Sequence, residues 1–158
     1  SFTQMMLAQG IQPGRRAEEI TTMPAEAEVA RNLDLATGAE VVRFSRIRTA
    51  DGAPVSYNVS YLPADLFRGY DIQHLLDGES LYAQLEAAFN LIVQTTEDTF
   101  GLARADAEVA AQLELKVGEP LLLIARHGFD KADQPIEYSR TIIRSDRYHH
   151  TITLRRKS

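Results

Sequence analysis

Two arginines two residues apart, Arg46 and Arg48 in "RFSRIRTADGAPVSYNVSY" (Arg43–Tyr61), carry the clearest chemical signal in this chain. The stretch alternates apolar and polar residues around "ADG", the pattern of a β-hairpin. Side chains alternate along a strand, so Val42, Phe44, Arg46 and Arg48 share a face, and the two guanidinium groups rise from it roughly 7 Å apart. Two planar forks at that spacing can clamp one phosphate or carboxylate. A two-residue Asp51-Gly52 loop would set the arginines beside Val55 and Tyr57. A three-residue loop with Gly52 in the left-handed position would set them beside Ser56 and Asn58. The second choice is favoured, because it leaves Val41, Ile47, Val55, Tyr57 and Val59 on the other face. Arg46, Arg48, Ser56 and Asn58 then form a polar cup. The competing reading is a solvated sheet face with arginines paired to acids.

A second segment, "QPIEYSRTIIRSDRY", places Glu137, Ser139, Thr141 and Ile143 on one face. Glu137 can accept hydrogens from a ligand hydroxyl or amine, or simply hold Arg46 or Arg48. Arg144 and Asp146 are spaced to pair with each other and read as structural. No G-x-S-x-G, H-E-x-x-H, Walker or G-x-G-x-x-G motif occurs. The adjacent His149 and His150 would point to opposite faces of a strand, which argues against a shared metal. No cofactor is called for.

The two segments belong to two copies of one pattern. "AEAEVARNLDLATG" (Ala25–Gly38) aligns with "ADAEVAAQLELKVG" (Ala105–Gly118) at an offset of 80, with eight of fourteen positions identical. Arg46 then falls on Arg126 and, after one extra residue, Ser56 falls on Glu137. Each copy predicts a short helix (Ala25–Leu33; Ala105–Leu113) with Val29/Leu33 or Val109/Leu113 on its apolar face. Gly38 or Gly118 follows as a left-handed cap or turn. A strand, a turn and a returning strand from Pro54 or Pro135 complete the copy. Between the copies, "ESLYAQLEAAF" predicts a helix capped by Ser80, with Leu81, Leu85 and Ala88 on one face. "LIVQTTEDTFGLAR" reads as a strand, "GRRAEEITTM" as a first strand and "TITLRR" as a last one. The sum is an α+β domain over residues 1–158: antiparallel hairpins in one sheet, helices on one side.

Composition narrows the class. The chain has 158 residues, no cysteine and a net charge of -5, with hydrophobic residues at 44%. That is enough for a real core, and it excludes disulfide scaffolds and favours a reducing cytoplasm. No apolar run is long enough to span a bilayer. The acidic balance argues against a nucleic-acid surface, which needs clustered Lys and Arg. The one basic run, "LRRKS", reads as a solvated tail. The start "SFTQMMLAQG" suggests a fragment of a longer protein.

The ordered set "SFTQMMLAQG", "LDLATGAEVVRFSRIRTADGAPVSYNVSYLP", "ESLYAQLEAAF", "LELKVGEPLLLIAR" and "PIEYSRTIIRSDRY" resembles the UTRA domain, the effector-binding half of HutC-subfamily GntR-type transcription regulators. The resemblance implies a chorismate-lyase-like fold and a cytoplasmic homodimer that senses a small metabolite. It implies that operator DNA is bound only through an N-terminal winged helix-turn-helix domain missing from this chain. In the family's sugar-phosphate sensors the Arg-x-Arg pair, here Arg46 and Arg48, takes the phosphate. Ser80 and Tyr82 of "ESLY" and Ser1 and Thr3 of "SFT" join it, and Glu137 touches the rest of the effector. Asn58 and Ile143 depart from the amino-sugar sensors, which carry Glu and Tyr there. A lyase acting on an aromatic carboxylate is the alternative on the same fold.

Overall fold

The computed structural model describes residues 2–78 and 80–157. Among them, six antiparallel strands form one sheet in the order β1-β2-β3-β6-β5-β4. They are β1 (Pro13–Pro24), β2 (Glu40–Ala50), β3 (Ala53–Pro63), β4 (Thr95–Arg104), β5 (Pro120–Phe129) and β6 (Pro135–Ile143). The helices are α1 (Phe2–Ala8), α2 (Ala27–Asn32), α3 (Leu81–Phe89) and α4 (Ala107–Leu113), with two 3-10 turns at Ala64–Phe67 and Ile72–Asp77.

The duplication seen in the sequence is built into this order, because β1, β2 and β3 occupy mirrored places to β4, β5 and β6. β3 and β6 meet at the centre, and an offset of 81 maps the pair Val59↔Arg140 onto itself. The pseudo-two-fold axis therefore passes through that pair. The copies also share the bonds of the turn that follows each helix. Ala25 and Ala105 each bond the loop after the helix, through Ala25 N to Ala39 O at 2.8 Å and Ala105 N to Glu119 O at 2.9 Å. Gly38 and Gly118 return bonds to the Ala25 and Ala105 carbonyls, at φ of +87° and +90°. Both glycines are thus turn residues rather than helix caps. The left-handed position closing α4 is Glu114. Asp106 caps the start of α4, accepting from the Val109 N–H at 2.8 Å.

Helices cover both faces of the sheet, not one. Val29 and Leu33 of α2 pack on Val41 and Tyr138, and Val109 and Leu113 of α4 pack with Ile47 and Leu121. On the opposite face, Leu81 and Leu85 of α3 join Val42, Phe44 and Leu62 beneath Phe67 and Leu75. Each fully buried Leu or Phe of that cluster contributes about 1.5–3 kcal/mol. An apolar stripe tells that a helix must dock, but not on which side of a sheet. Ala88 is exposed, and Phe89 takes its expected place against the core. Residues 151–157 form no strand: "TITLRR" alternates, but Ile152 and Leu154 are both exposed.

The hairpin reaches the expected pairing by another route. Asp51 (φ +47°) and Gly52 (φ +82°) are both left-handed, as in a two-residue type I′ turn. The register then shifts between Thr49↔Pro54 and Arg48↔Ser56, leaving Val55 as a bulge. So Arg48 opposes Ser56 and Arg46 opposes Asn58, as the three-residue loop would have given. The extra residue sits in the strand instead of the turn. Val55 also leaves its expected face. It is fully buried with Met6, Ile124, Ile143 and Tyr148.

Candidate functional site

Arg46 and Arg48 lie on the sheet face between two apolar clusters, the α3 cluster on one side and the Met6–Val55–Ile143 cluster on the other. A cavity of about 600 Å³ opens there. Its floor comes from the four central strands. α1 contributes Thr3, the start of α3 contributes Ser80 and Tyr82, and His150 closes the wall after β6.

Arg46 is 6% exposed, and its guanidinium carbon stands 4.6 Å from the centre of the Phe44 ring. A cation over an aromatic face is held electrostatically. Burial pulls the Arg46 pKa down to about 10, with repulsion from Arg48 and Arg15 adding to it and Glu18 and Glu137 opposing it. It remains cationic at neutral pH. Arg48 is half-buried beside it. Two like charges forced together in a part-desolvated site favour an anion between them.

Asn58 donates from Nδ2 to Thr141 Oγ1 at 2.8 Å across the central β3–β6 seam, so its amide is fixed. Glu137 is 3% exposed and accepts the Ser60 hydroxyl at 2.9 Å and the Tyr82 phenol. Burial pushes the Glu137 carboxyl up, against the lowering effect of the Tyr82 and Ser60 bonds. Burial, and then the neighbouring Glu137 charge, push the Tyr82 phenol up, so it stays a neutral donor. Tyr82 is placed by α3, whose first turn is capped by Ser80 Oγ accepting from the Ala83 N–H at 3.4 Å. A capped helix start directs free N–H groups toward an anion.

Arg126, the counterpart of Arg46 in the second copy, also lines the cavity. Asp98 holds one edge of it in a bidentate pair, with Nε donating to Oδ1 at 2.7 Å and Nη2 to Oδ2 at 2.8 Å. That hydrogen bonding holds the Asp98 carboxyl below its ordinary value. The two copies have thus diverged at equivalent points. One keeps a pair of arginines, and the other keeps one arginine matched to an acid.

Arg46, Arg48, Ser56, Asn58, Ser80, Tyr82, Glu137 and Thr3 therefore converge on one cavity, whereas Ser1 lies outside the described residues. Ser60 and His150 line it as well and were missed. Strand alternation from Ser56 and Asn58 reaches Ser60; no sequence signal reaches His150. Arg144 stays apart from the cavity. It pairs with Asp146 at 2.7 Å and donates to the Leu113 and Glu114 carbonyls at 2.8 and 3.1 Å, tying the end of α4 to the end of β6.

Residues 8–149 match the UTRA domain family. The chain belongs to that family. Along the full chain it is 31% identical to the HTH-type transcriptional repressor PhnF of Mycolicibacterium smegmatis, of which it covers 64%. It is 30% identical to the HTH-type transcriptional regulator GgaR of Escherichia coli K12 over 93% of the chain and 57% of GgaR. It thus spans less than two-thirds of these relatives. Among solved structures, the effector domain of PhnF from Mycobacterium smegmatis superposes with a TM-score of 0.83 at 30% identity, covering 99% of this chain and 95% of that one. The ligand-binding domain of a GntR-family regulator from Bordetella bronchiseptica gives 0.82 at 28%, covering 91% of each. This UTRA domain accordingly shares its α+β sheet with effector domains of transcription regulators. No helix among its described residues is long and apolar enough to cross a membrane.

Proposed function

We propose that this UTRA domain is the effector-sensing part of a GntR-type transcription regulator and binds a small anionic metabolite in the cavity above β2, β3, β5 and β6. The carrying observation is the placement of Arg46 and Arg48 side by side on one cavity wall. Ser56, Ser80 and Thr3 supply neutral hydroxyls around them. A phosphate presents several acceptor oxygens and suits two forks, hydroxyls and a helix start better than a single carboxylate does. Glu137, Tyr82 and Asn58 offer both donors and acceptors deeper in, fitting a polyhydroxylated body. A sugar phosphate is the effector class these features support.

The domain works as a homodimer, and operator DNA is contacted by a separate DNA-binding domain, as the HTH-type names of the relatives suggest. Effector binding biases how the two DNA heads are held. A thermal-shift screen with sugar phosphates, followed by calorimetry, tests this. Stabilisation with the ligand recovered unchanged is expected. Conversion of the ligand, or no response to any anion, would overturn it.

A further inference from the structure

We propose that Glu18 sets the affinity of the anion site: it is a built-in counter-charge to Arg46, held by a bulge of β1 in an ion pair with Arg15 instead of a closed pair with Arg46, so that an incoming anion can still take that arginine. This rests on the anion site proposed above and adds the residue that tunes it.

The internal duplication supplies the comparison. At the offset of 80, Glu18 falls on Asp98 as Arg46 falls on Arg126. β4 pairs with β5 in unbroken register and sets Asp98 opposite Arg126, where the two close their bidentate pair at 2.7 and 2.8 Å. An arginine matched in that way has its charge balanced and one edge of its fork filled. In the first copy, β1 carries one extra residue. Arg16 opposes Ile47 and Glu19 opposes Ser45, so Ala17 and Glu18 together face Arg46. Ala17 takes a φ of +50°, where an L side chain is seldom found. A left-handed first position is the one that glycine normally fills in a bulge, and here an alanine bears it.

The bulge gives Glu18 a different partner. Its Oε1 lies 3.3 Å from Arg15 Nη1. Arg15 stands opposite Arg48 and donates to the Gly78 carbonyl at 2.6 Å, on the segment that leads to Ser80. Glu18 Oε1 is buried and makes no hydrogen bond among the described residues. A buried acceptor left unbonded is unfavourable. A bulge that served only to blunt the edge would need no acid turned inward. The Glu18 carboxylate bears on Arg46 through its charge. It offsets the repulsion among Arg15, Arg46 and Arg48, and it repels any anion that joins them.

Sulfate calorimetry on the wild type and three variants tests this. Glu18→Gln removes the counter-charge and should bind sulfate about tenfold more tightly, the scale of one nearby charge in a part-buried site. Deleting Ala17 gives β1 the unbroken register of β4 and closes Glu18 onto Arg46. It should weaken sulfate about tenfold, by the same charge argument. The same deletion made in Glu18→Gln should no longer weaken binding. Opposite shifts separate this from a structural role, under which both changes would move the melting temperature and neither would tighten binding. Unchanged or weaker binding in Glu18→Gln, or unchanged or tighter binding in the deletion, would overturn the proposal. A wild-type chain that binds neither sulfate nor any sugar phosphate would overturn the anion site beneath it as well.

Discussion

Tyr82 and Glu137 are joined by a hydrogen bond from phenol to buried carboxylate, linking the first turn of α3 to the start of β6. The bond crosses from the helix layer to the sheet and spans 55 residues of chain. It fixes the deep wall of the cavity relative to the helix start that faces Arg46 and Arg48.

Removing the phenol hydroxyl leaves Glu137 Oε2 without this donor. Tyr82→Phe should destabilise the domain by about 1–3 kcal/mol, the cost of a buried acceptor left unmet. The Glu137→Gln and Tyr82→Phe effects should be non-additive by about 0.5–3 kcal/mol in a denaturation double-mutant cycle, as for groups in contact.

The raised Glu137 carboxyl makes stability depend on pH. In the fold it binds a proton more readily than in the unfolded chain, where its value is near the ordinary 4.5. Stability then falls as pH rises from about 4.5 up through the folded value. Urea midpoints of wild type minus Glu137→Gln, measured from pH 4 upward, should decline over that window and then level. Sulfate keeps its charge across the same range. Its affinity should also fall as Glu137 ionises, and Glu137→Gln should weaken that dependence.

Arg144 should matter for folding and not for effector binding. It is 7% exposed and satisfies two carbonyls at the end of α4. Arg144→Ala should cost about 2–3 kcal/mol, the range for hydrogen bonds from a charged group and for carbonyls left unmet. The measurement is a chemical melt, with anion affinity of the folded protein unchanged.

Much of this architecture was legible in the residues because it is local or repeated. The alternation of Tyr57 to Tyr61 and the "AEVA" copies reveal the strand pairing and the internal symmetry. Ser80 announced the start of α3 through its capping chemistry. What stayed hidden depended on tertiary packing. The bulge at Val55 exists because that side chain fills a gap among Met6, Ile124 and Ile143, all distant in sequence. The division of helices between the two faces follows from connection lengths and core shape, not from any helix's own stripe. His150 reaches the cavity only because Tyr148 is anchored in the core next to Met5 and Met6, which strand periodicity does not encode.

The central claim is that Arg46 and Arg48 hold the anionic end of the effector. Isothermal calorimetry with the best-binding sugar phosphate from the thermal-shift screen, on wild type, Arg46→Ala and Arg48→Ala, tests it most directly. Each substitution should weaken binding by about 1.5–3 kcal/mol, the worth of hydrogen bonds to charged groups. Wild-type affinity in both variants would contradict the account.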